Sequence, residues 1–325
     1  MKLHNAPAAF QELIARTAEA SGILPPYIEK DYWLTTVLRE LALSPQRNLA
    51  VFKGGTSLSK AYGIIQRFSE DVDLALIVEG LSGNQVKSRM DSISKNITKH
   101  LPEVKVADVT SKGSRFRRTA HTFPQVAEKL VFPSQAREEL VLEINAFANP
   151  SPFQEVEIQS LIAGYLRKLG REDLAQEYDL QPFTLQVLKP TRTLAEKVLA
   201  LARASYAQDA FAQLREKIRH TYDLYFLLQQ PELQAFVAGA EFFETLRQVQ
   251  ADDAKNSEFQ GAWAAEPLAA AWIYQDDLAL WQLLEDTYTG PFKSLVYGPL
   301  PSLEDVRQAL RQLAQRLKDF DQLGL

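Results

Sequence analysis

Two stretches of this chain carry residue types that do phosphate and metal chemistry. Phe52-Lys-Gly-Gly-Thr-Ser-Leu-Ser-Lys60 is followed by Arg67-Phe-Ser-Glu-Asp-Val-Asp-Leu74. Paired glycines let a backbone turn tightly and bring its amides close to a ligand. Thr56 or Ser57 is placed to cap a helix behind that turn. A strand, a glycine turn and a helix N-terminus together make a phosphate cradle. The pattern is not a P-loop, since G-x-x-x-x-G-K-[ST] fits nowhere in the chain. Asp71 and Asp73 raise the specificity. Residues two apart on a strand face the same way, so both carboxylates project together. Like charges that close resist burial unless a cation joins them. Magnesium or manganese suits the pair: a hard cation that takes carboxylate oxygens and keeps sites open for phosphates. Alone, Asp-x-Asp is as easily a solvated strand end. Set fifteen residues after Thr56, it is more specific: a turn suited to phosphates lies close in sequence to a carboxylate pair suited to metal.

Other elements must position these groups. Pro25-Pro26 open a helix in which Ile28, Trp33, Val37, Leu38 and Leu41 fall near helical spacing. Asn48–Phe52 reads as a strand, Leu58–Ile65 as a short helix, and Asp71–Val78 as a strand buried on both faces past its start. Ser82–Leu101 is helical, with Val86, Met90, Ile93, Ile97 and Leu101 on one stripe. Strands follow near Val104–Val109, Arg115–Thr122 and Glu139–Phe147. Beyond Pro150 the pattern is almost all helix, apart from a strand at Phe183–Leu188. Thr193-Leu-Ala-Glu196 has the form of a capping box and predicts a helix start at Thr193. Leu303–Phe320 is an amphipathic helix. The expected fold is α/β (α+β): a small mixed sheet flanked by helices, then an all-helical domain. The boundary falls near Pro190, giving domains at 1–190 and 191–325 with the active site between them.

Composition narrows the field. The chain has 325 residues, no cysteine and four histidines. Disulfide scaffolds, thiol nucleophiles and iron–sulfur clusters are excluded together, and the histidines lack zinc-hydrolase spacing. No apolar run approaches the roughly 20 residues of a membrane span. Glu12 and Arg16 interrupt what a signal peptide needs. A cytoplasmic protein with no membrane partner is expected. The net charge of −5 makes the whole chain no nucleic-acid magnet, though a local basic groove is compatible with it. Arg115, Arg117 and Arg118 around Phe116 suit such a groove, mixing phosphate contacts with a stacking ring, or else form an exposed polar strand. Glu143, mid-strand among aliphatics, is either a third metal carboxylate or a paired structural one.

The run FKGGTSLSKAYGIIQRFSEDVDL resembles the AbiEii/AbiGii-type toxin nucleotidyltransferases of abortive-infection and type IV toxin–antitoxin pairs. Glu29-Lys-Asp-Tyr-Trp33, Leu194–Leu201 with Arg203, and Arg219–Tyr225 resemble further segments of that family, in family order. The resemblance implies metal binding by Asp71 and Asp73. It implies a nucleotide-binding turn of Lys53, Gly54, Gly55, Thr56 and Ser57, and phosphate contact by Lys197. An ammonium one turn past a cap at Thr193 would add to the positive helix end. Asp223 corresponds to the family's essential aspartate of the helical domain. It sits among aromatic residues and needs a partner, with Arg219, His220 and Arg203 the nearby candidates. Ser69 corresponds to a serine whose phosphorylation controls related toxins.

The implied reaction is two-metal transfer of a nucleoside monophosphate from an NTP to RNA, the tRNA 3′ end above all, with a cognate antitoxin as partner. Transfer to a protein hydroxyl and an inactive nucleotide-binding module are the competing readings.

Overall fold

The computed structural model describes residues 1–69, 71–107, 109–127, 138–256 and 259–323. It divides into two compact units. One comprises Met1–Gly63 and Phe68–Leu188; the other comprises Ile64–Arg67 and Lys189–Leu325.

The first unit is built on one mixed sheet. Its strands are β1 (Ala50–Lys53), β2 (Asp71–Leu76), β3 (Glu103–Val104), β4 (Ser111–Lys112), β5 (Phe116–His121), β6 (Leu140–Asn145), β7 (Phe153–Ile158) and β8 (Phe183–Leu188). They run in the order β3-β5-β6-β2-β1-β8-β7, with β4 beside β5. β2 pairs with β6 and β1 with β8 in parallel; the remaining pairs are antiparallel. The most apolar strands, β1, β2 and β6, are central. Val51, Phe52, Val72, Leu74, Val141, Leu142 and Ile144 are fully enclosed there, which is what near-continuous apolar strands require.

Six helices accompany the sheet: α1 (Pro7–Ser21), α2 (Pro25–Leu43), α3 (Gly54–Lys60), α4 (Gly83–Ile97), α5 (Leu161–Lys168) and α6 (Glu172–Glu177). α2 starts with proline in its first turn, where a missing N–H costs nothing. It is buried nearly all round, including Glu29, Lys30 and Asp31. Buried charges need partners: Glu29 accepts the Val126 and Ala127 amides at 2.7 and 3.0 Å, and Asp31 pairs with Lys60 of α3. α4 carries a true capping box, Ser82 with Gln85, before its stripe of Val86, Met90, Ile93 and Ile97.

Three expectations need correction here. The helix expected at Leu58–Ile65 lies at Gly54–Lys60, with Lys53 as its N-cap. The glycines are its first turn, and neither Thr56 nor Ser57 caps it. The strand expected at Val104–Val109 is reduced to two residues. Strand β7 occupies Phe153–Ile158, where only helix was expected. It is an edge strand whose Gln154, Glu155 and Glu157 are exposed, so polar residues that protect an edge from pairing also hide it from a hydrophobicity reading.

The second unit is helical: α7 (Pro190–Ser205), α8 (Ala210–Glu216), α9 (Ile218–Leu228), α10 (Pro231–Ala238), α11 (Ala240–Asp253), α12 (Leu278–Thr287) and α13 (Leu303–Leu323). The α13 stripe of Val306, Leu310, Leu313, Leu317 and Phe320 is buried. The short Ile64–Arg67 segment belongs here too. Arg67 bridges Val296, and the amides of Tyr297 and Gly298 each donate to the Gln66 carbonyl at 3.1 Å. Among the described residues, no helix is long and apolar enough to cross a membrane.

Candidate active site

Strand register assembles the acidic face of the first unit. Lys53 on β1 stands opposite Asp73 on β2, Asp73 opposite Glu143 on β6, and Glu143 opposite Arg118 on β5. Directly opposed residues project from the same face of a sheet. Asp71, two residues before Asp73, joins that face. One row therefore reads Lys53, Asp73, Glu143, Arg118, with Asp71 beside it. Arg118 Nη2 lies 3.6 Å from Asp71 Oδ2, and its Nε 3.9 Å from Glu143 Oε2. Burial, then the charges of Glu143 and Asp71, hold the Asp73 carboxyl well above the usual carboxylate range. Burial also raises Glu143, against the pull of Arg118 and Lys53.

The repulsion in this row is what a cation would offset. Three carboxylates share a low-dielectric surface, and a divalent ion would relieve their repulsion. Asp71 and Asp73, with Glu143 on the neighbouring strand, are the residues that would hold it. Among the described residues, no three acidic or histidine side chains lie, as they stand, so that they could together hold a metal ion. The donor set is hard oxygen, which fits magnesium or manganese rather than a softer metal.

Gly54 meets this row directly. Its φ is +78°, and a Cβ built there would lie 2.1 Å from Asp73 Oδ2. Both the left-handed backbone and the close approach demand glycine. The turn expected to hold a triphosphate thus lies against a carboxylate expected to hold metal. Thr56 is buried. Its hydroxyl donates to the Asp71 carbonyl at 2.7 Å and lies 2.9 Å from Ser69 Oγ. Ser57 is buried as well and donates to the Gly54 carbonyl. Both hydroxyls brace the turn in this arrangement. Ser69 is half-buried beside Thr56, two residues before Asp71.

The basic run enters β5 at Phe116, and alternation along the strand sends Arg117 and Arg118 to opposite faces. Arg115 is exposed and donates to the Ala146 carbonyl. Arg118 faces the carboxylates. Arg117 points to the other face, is 7% exposed and pairs with Asp91 of α4 at 2.7 Å. Arg117 is thus turned away from the carboxylate row, with its Nη2 engaged by α4.

The second unit holds its own cluster. Lys197 lies in α7 and Asp223 in α9, both buried, with Nζ to Oδ2 at 2.7 Å. Arg67 clamps the same carboxylate with two bonds of 2.7 Å each. Asp223 is fully enclosed, and burial opposes its charge, yet Arg67 and Lys197 hold its carboxyl far below the usual range. The partners proposed from sequence do not include Arg67, and Arg203 pairs instead with Asp253. Thr193 is not a cap either. Pro190 begins α7 after Lys189, and Thr193 lies inside its first turn. Lys197 is thus two turns in, beyond the reach of the helix end. Asp223 and His220 set its position.

His220 adds a pH-sensitive member. Lys197 Nζ lies 3.0 Å from His220 Nδ1. An ammonium only donates, so Nδ1 must accept and the ring is neutral. Burial, reinforced by Lys197, pushes the imidazole well below its ordinary value; Lys217 and Arg67 act in the same sense and Asp223 against them. A histidine with a lowered folded value contributes stability that is complete above the unfolded value and is lost as pH falls below it. Urea denaturation should show wild type losing up to about 1.4 kcal/mol more than His220→Asn for each pH unit below about 6.5. Asn retains an acceptor for Lys197. Identical pH slopes in the two proteins would show that the ring is not held neutral.

Sequence reasoning missed Arg67 as a cluster member, although it lies in the quoted motif. Its signal was present: an arginine between the turn and the Asp pair, opposite a buried aspartate that needed a cation. Sequence distance hid it, since Arg67 and Asp223 are 156 residues apart.

A family model described as nucleotidyl transferase AbiEii toxin, type IV TA system, matches residues 36–321. No curated protein matches the chain. Among solved structures, the chain is similar to MenT4, a nucleotidyltransferase toxin from Mycobacterium tuberculosis H37Rv. Identity is 18%, the TM-score is 0.56, and the match covers 95% of this chain and 89% of that one. At that identity the likeness speaks for the fold, and the family match speaks for the activity. A glycine turn seated against strand-borne carboxylates is what such an activity needs, and the chain is a nucleotidyltransferase that belongs to the AbiEii toxins of type IV toxin–antitoxin systems.

Proposed function

We propose that the chain transfers a nucleoside monophosphate from an NTP to the 3′ end of an RNA, tRNA above all, in the cytoplasm of a cell that also makes its antitoxin. The observation that carries this reading is the seating of Gly54 against Asp73 in the Asp71–Asp73–Glu143 face. The RNA 3′ hydroxyl gives its proton to solvent water as its oxygen attacks the α-phosphorus. A new P–O bond forms, the bond to the β-phosphate bridge breaks, and pyrophosphate leaves with the β- and γ-phosphates. Magnesium or manganese, when bound by Asp71 and Asp73 with Glu143 in support, supplies charge neutralisation at the attacking and leaving oxygens. The rest is positioning. The Gly54 and Gly55 amides orient the triphosphate, and Lys53 offsets its charge. Lys197, held by Asp223, contacts phosphate. Asp223 acts through Lys197 and Arg67 rather than on the substrate. Arg118 stays with the carboxylates, and Arg115, exposed just before β5, is the cation for RNA.

Ser69 is the control point in this reading. A phosphate there brings about −1.5 to −2 charge beside Asp71 and removes the hydroxyl that meets Thr56.

The test is incubation of the purified protein with the four NTPs and total tRNA. RNA lengthened by added nucleotides is expected with magnesium and not with EDTA, and Ser69→Glu should be poorly active. Unmodified tRNA under all conditions, or full activity in EDTA, would refute the reading. A wild-type rate in Ser69→Glu would remove the switch alone.

A further inference from the structure

The far end of the turn helix is anchored as firmly as its near end. Lys60, the last residue of α3, is nearly enclosed, its side chain 5% exposed. Its ammonium lies 2.5 Å from Asp31 Oδ1, and donates to Thr35 Oγ1 at 2.8 Å and to the Gln159 carbonyl at 3.2 Å. An ammonium has three hydrogens, and all three are used. Asp31 is equally committed: its other oxygen accepts the Leu161 amide, at the start of α5, at 2.7 Å. Thr35 donates in turn to the Asp31 carbonyl at 2.6 Å. A buried charge pair with every polar atom satisfied thus joins α3 to α2 and to the lead-in of α5.

The near end of α3 is tied differently. The Thr56 hydroxyl donates to the Asp71 carbonyl, on the strand that carries the Asp pair. The two ties lie four residues apart, about one turn, on a helix of only seven residues. A short rigid rod held at both ends transmits a tilt at one end to the other. The near end has no slack, because Gly54 already lies where a single methyl would collide with Asp73 Oδ2.

We propose that Lys60 and Asp31 are positioning residues for nucleotide binding: together they fix the tilt of α3, and so the placement of the Gly54–Gly55 amides against Asp73. Neither residue touches substrate. The inference rests on the reading of that turn as the triphosphate site. It makes an ion pair of the Glu-Lys-Asp helix part of the NTP-binding apparatus, a part its sequence position does not suggest.

Removing one charge alone strands the other in the core and threatens the fold, so the informative variant changes both. In Asp31→Asn/Lys60→Met, Asn keeps an acceptor for the Leu161 amide and Met keeps the length of the lysine. Steady-state pyrophosphate release is measured with tRNA and ATP, CTP, GTP or UTP, beside thermal unfolding. The expected result is a melting temperature near that of wild type with KM for the NTP raised about tenfold or more and KM for tRNA unchanged. The second variant, Thr35→Val, keeps both charges and the shape but removes one acceptor from Lys60. It should raise the NTP KM severalfold, and Lys60→Arg should recover part of the loss seen in the double variant. Wild-type NTP KM in folded Thr35→Val, or in a folded double variant, overturns the positioning role. A wild type that releases no pyrophosphate from any NTP overturns instead the reading of the turn on which this rests.

Discussion

Asp73→Asn should abolish nucleotidyl transfer and leave the protein folded. The substitution keeps the shape of the side chain and its place against Gly54, and removes one charge. Asp73 stands in register with Glu143 and two residues from Asp71, and burial with those two charges already raises its carboxyl well above the usual range. In the metal-free protein the carboxylate is therefore an electrostatic burden. Neutralising it relieves repulsion, so the melting temperature without metal should be unchanged or higher. Activity should behave in the opposite way, because metal charge neutralisation is worth several kcal/mol of the barrier. A loss of at least about a thousandfold corresponds to roughly 4 kcal/mol. Loss of function with retained or improved stability is the signature of a strained functional group. Turnover by Asp73→Asn within tenfold of wild type would remove the carboxylate row from the chemistry.

The largest effect on stability should come from Asp223→Leu. Asp223 is fully enclosed and accepts two bonds from Arg67 and one from Lys197. Leucine fills similar space but takes the shared carboxylate from two buried cations. Breaking a buried pair by removing one partner costs about 3–5 kcal/mol, and two cations depend on this carboxylate. Chemical denaturation should place the loss at the upper end of that range or beyond. Lys197→Met discriminates between structure and function at the same cluster. It leaves Asp223 paired with Arg67, so its stability cost should be the smaller of the two. Its NTP turnover should still fall about ten- to hundredfold, the worth of one charge-assisted phosphate contact. Equal stability losses, with NTP kinetics unchanged in Lys197→Met, would assign the cluster to structure alone.

What was legible in the sequence follows from how local each signal is. The Gly54 turn, the Asp71/Asp73 alternation and the apolar run of β2 are encoded within a few residues, and the structure puts Gly54 against Asp73. Glu143 could be named but not placed, because only register brings it opposite Asp73 across β2 and β6. Arg118 was legible as a cation but not as a companion of the carboxylates, since its facing depends on pairing with β6. Arg117 shows the converse: adjacent in sequence, it is carried by the period of two to the other side of the sheet and to Asp91.

Long-range pairings were the least visible. Nothing near Asp223 announces Arg67, and nothing near Lys60 announces Asp31 and the Gln159 carbonyl. The capping-box pattern at Thr193 was outcompeted by a stronger local rule, since Pro190 pre-sets the backbone of a first helical position three residues earlier. Strand β7 was lost because an exposed edge strand with two glutamates looks like loop or helix to any reading based on burial.

The central claim is nucleotidyl transfer to RNA, and isotope placement tests it most directly. Wild-type protein is incubated with magnesium and tRNA, once with NTPs labelled at the α-phosphate and once with label at the γ-phosphate. The account predicts that α-label enters RNA at its 3′ end, that γ-label leaves as pyrophosphate, and that Asp73→Asn does neither. Label from the γ-phosphate on a protein hydroxyl, with RNA unlabelled in both arms, would contradict it.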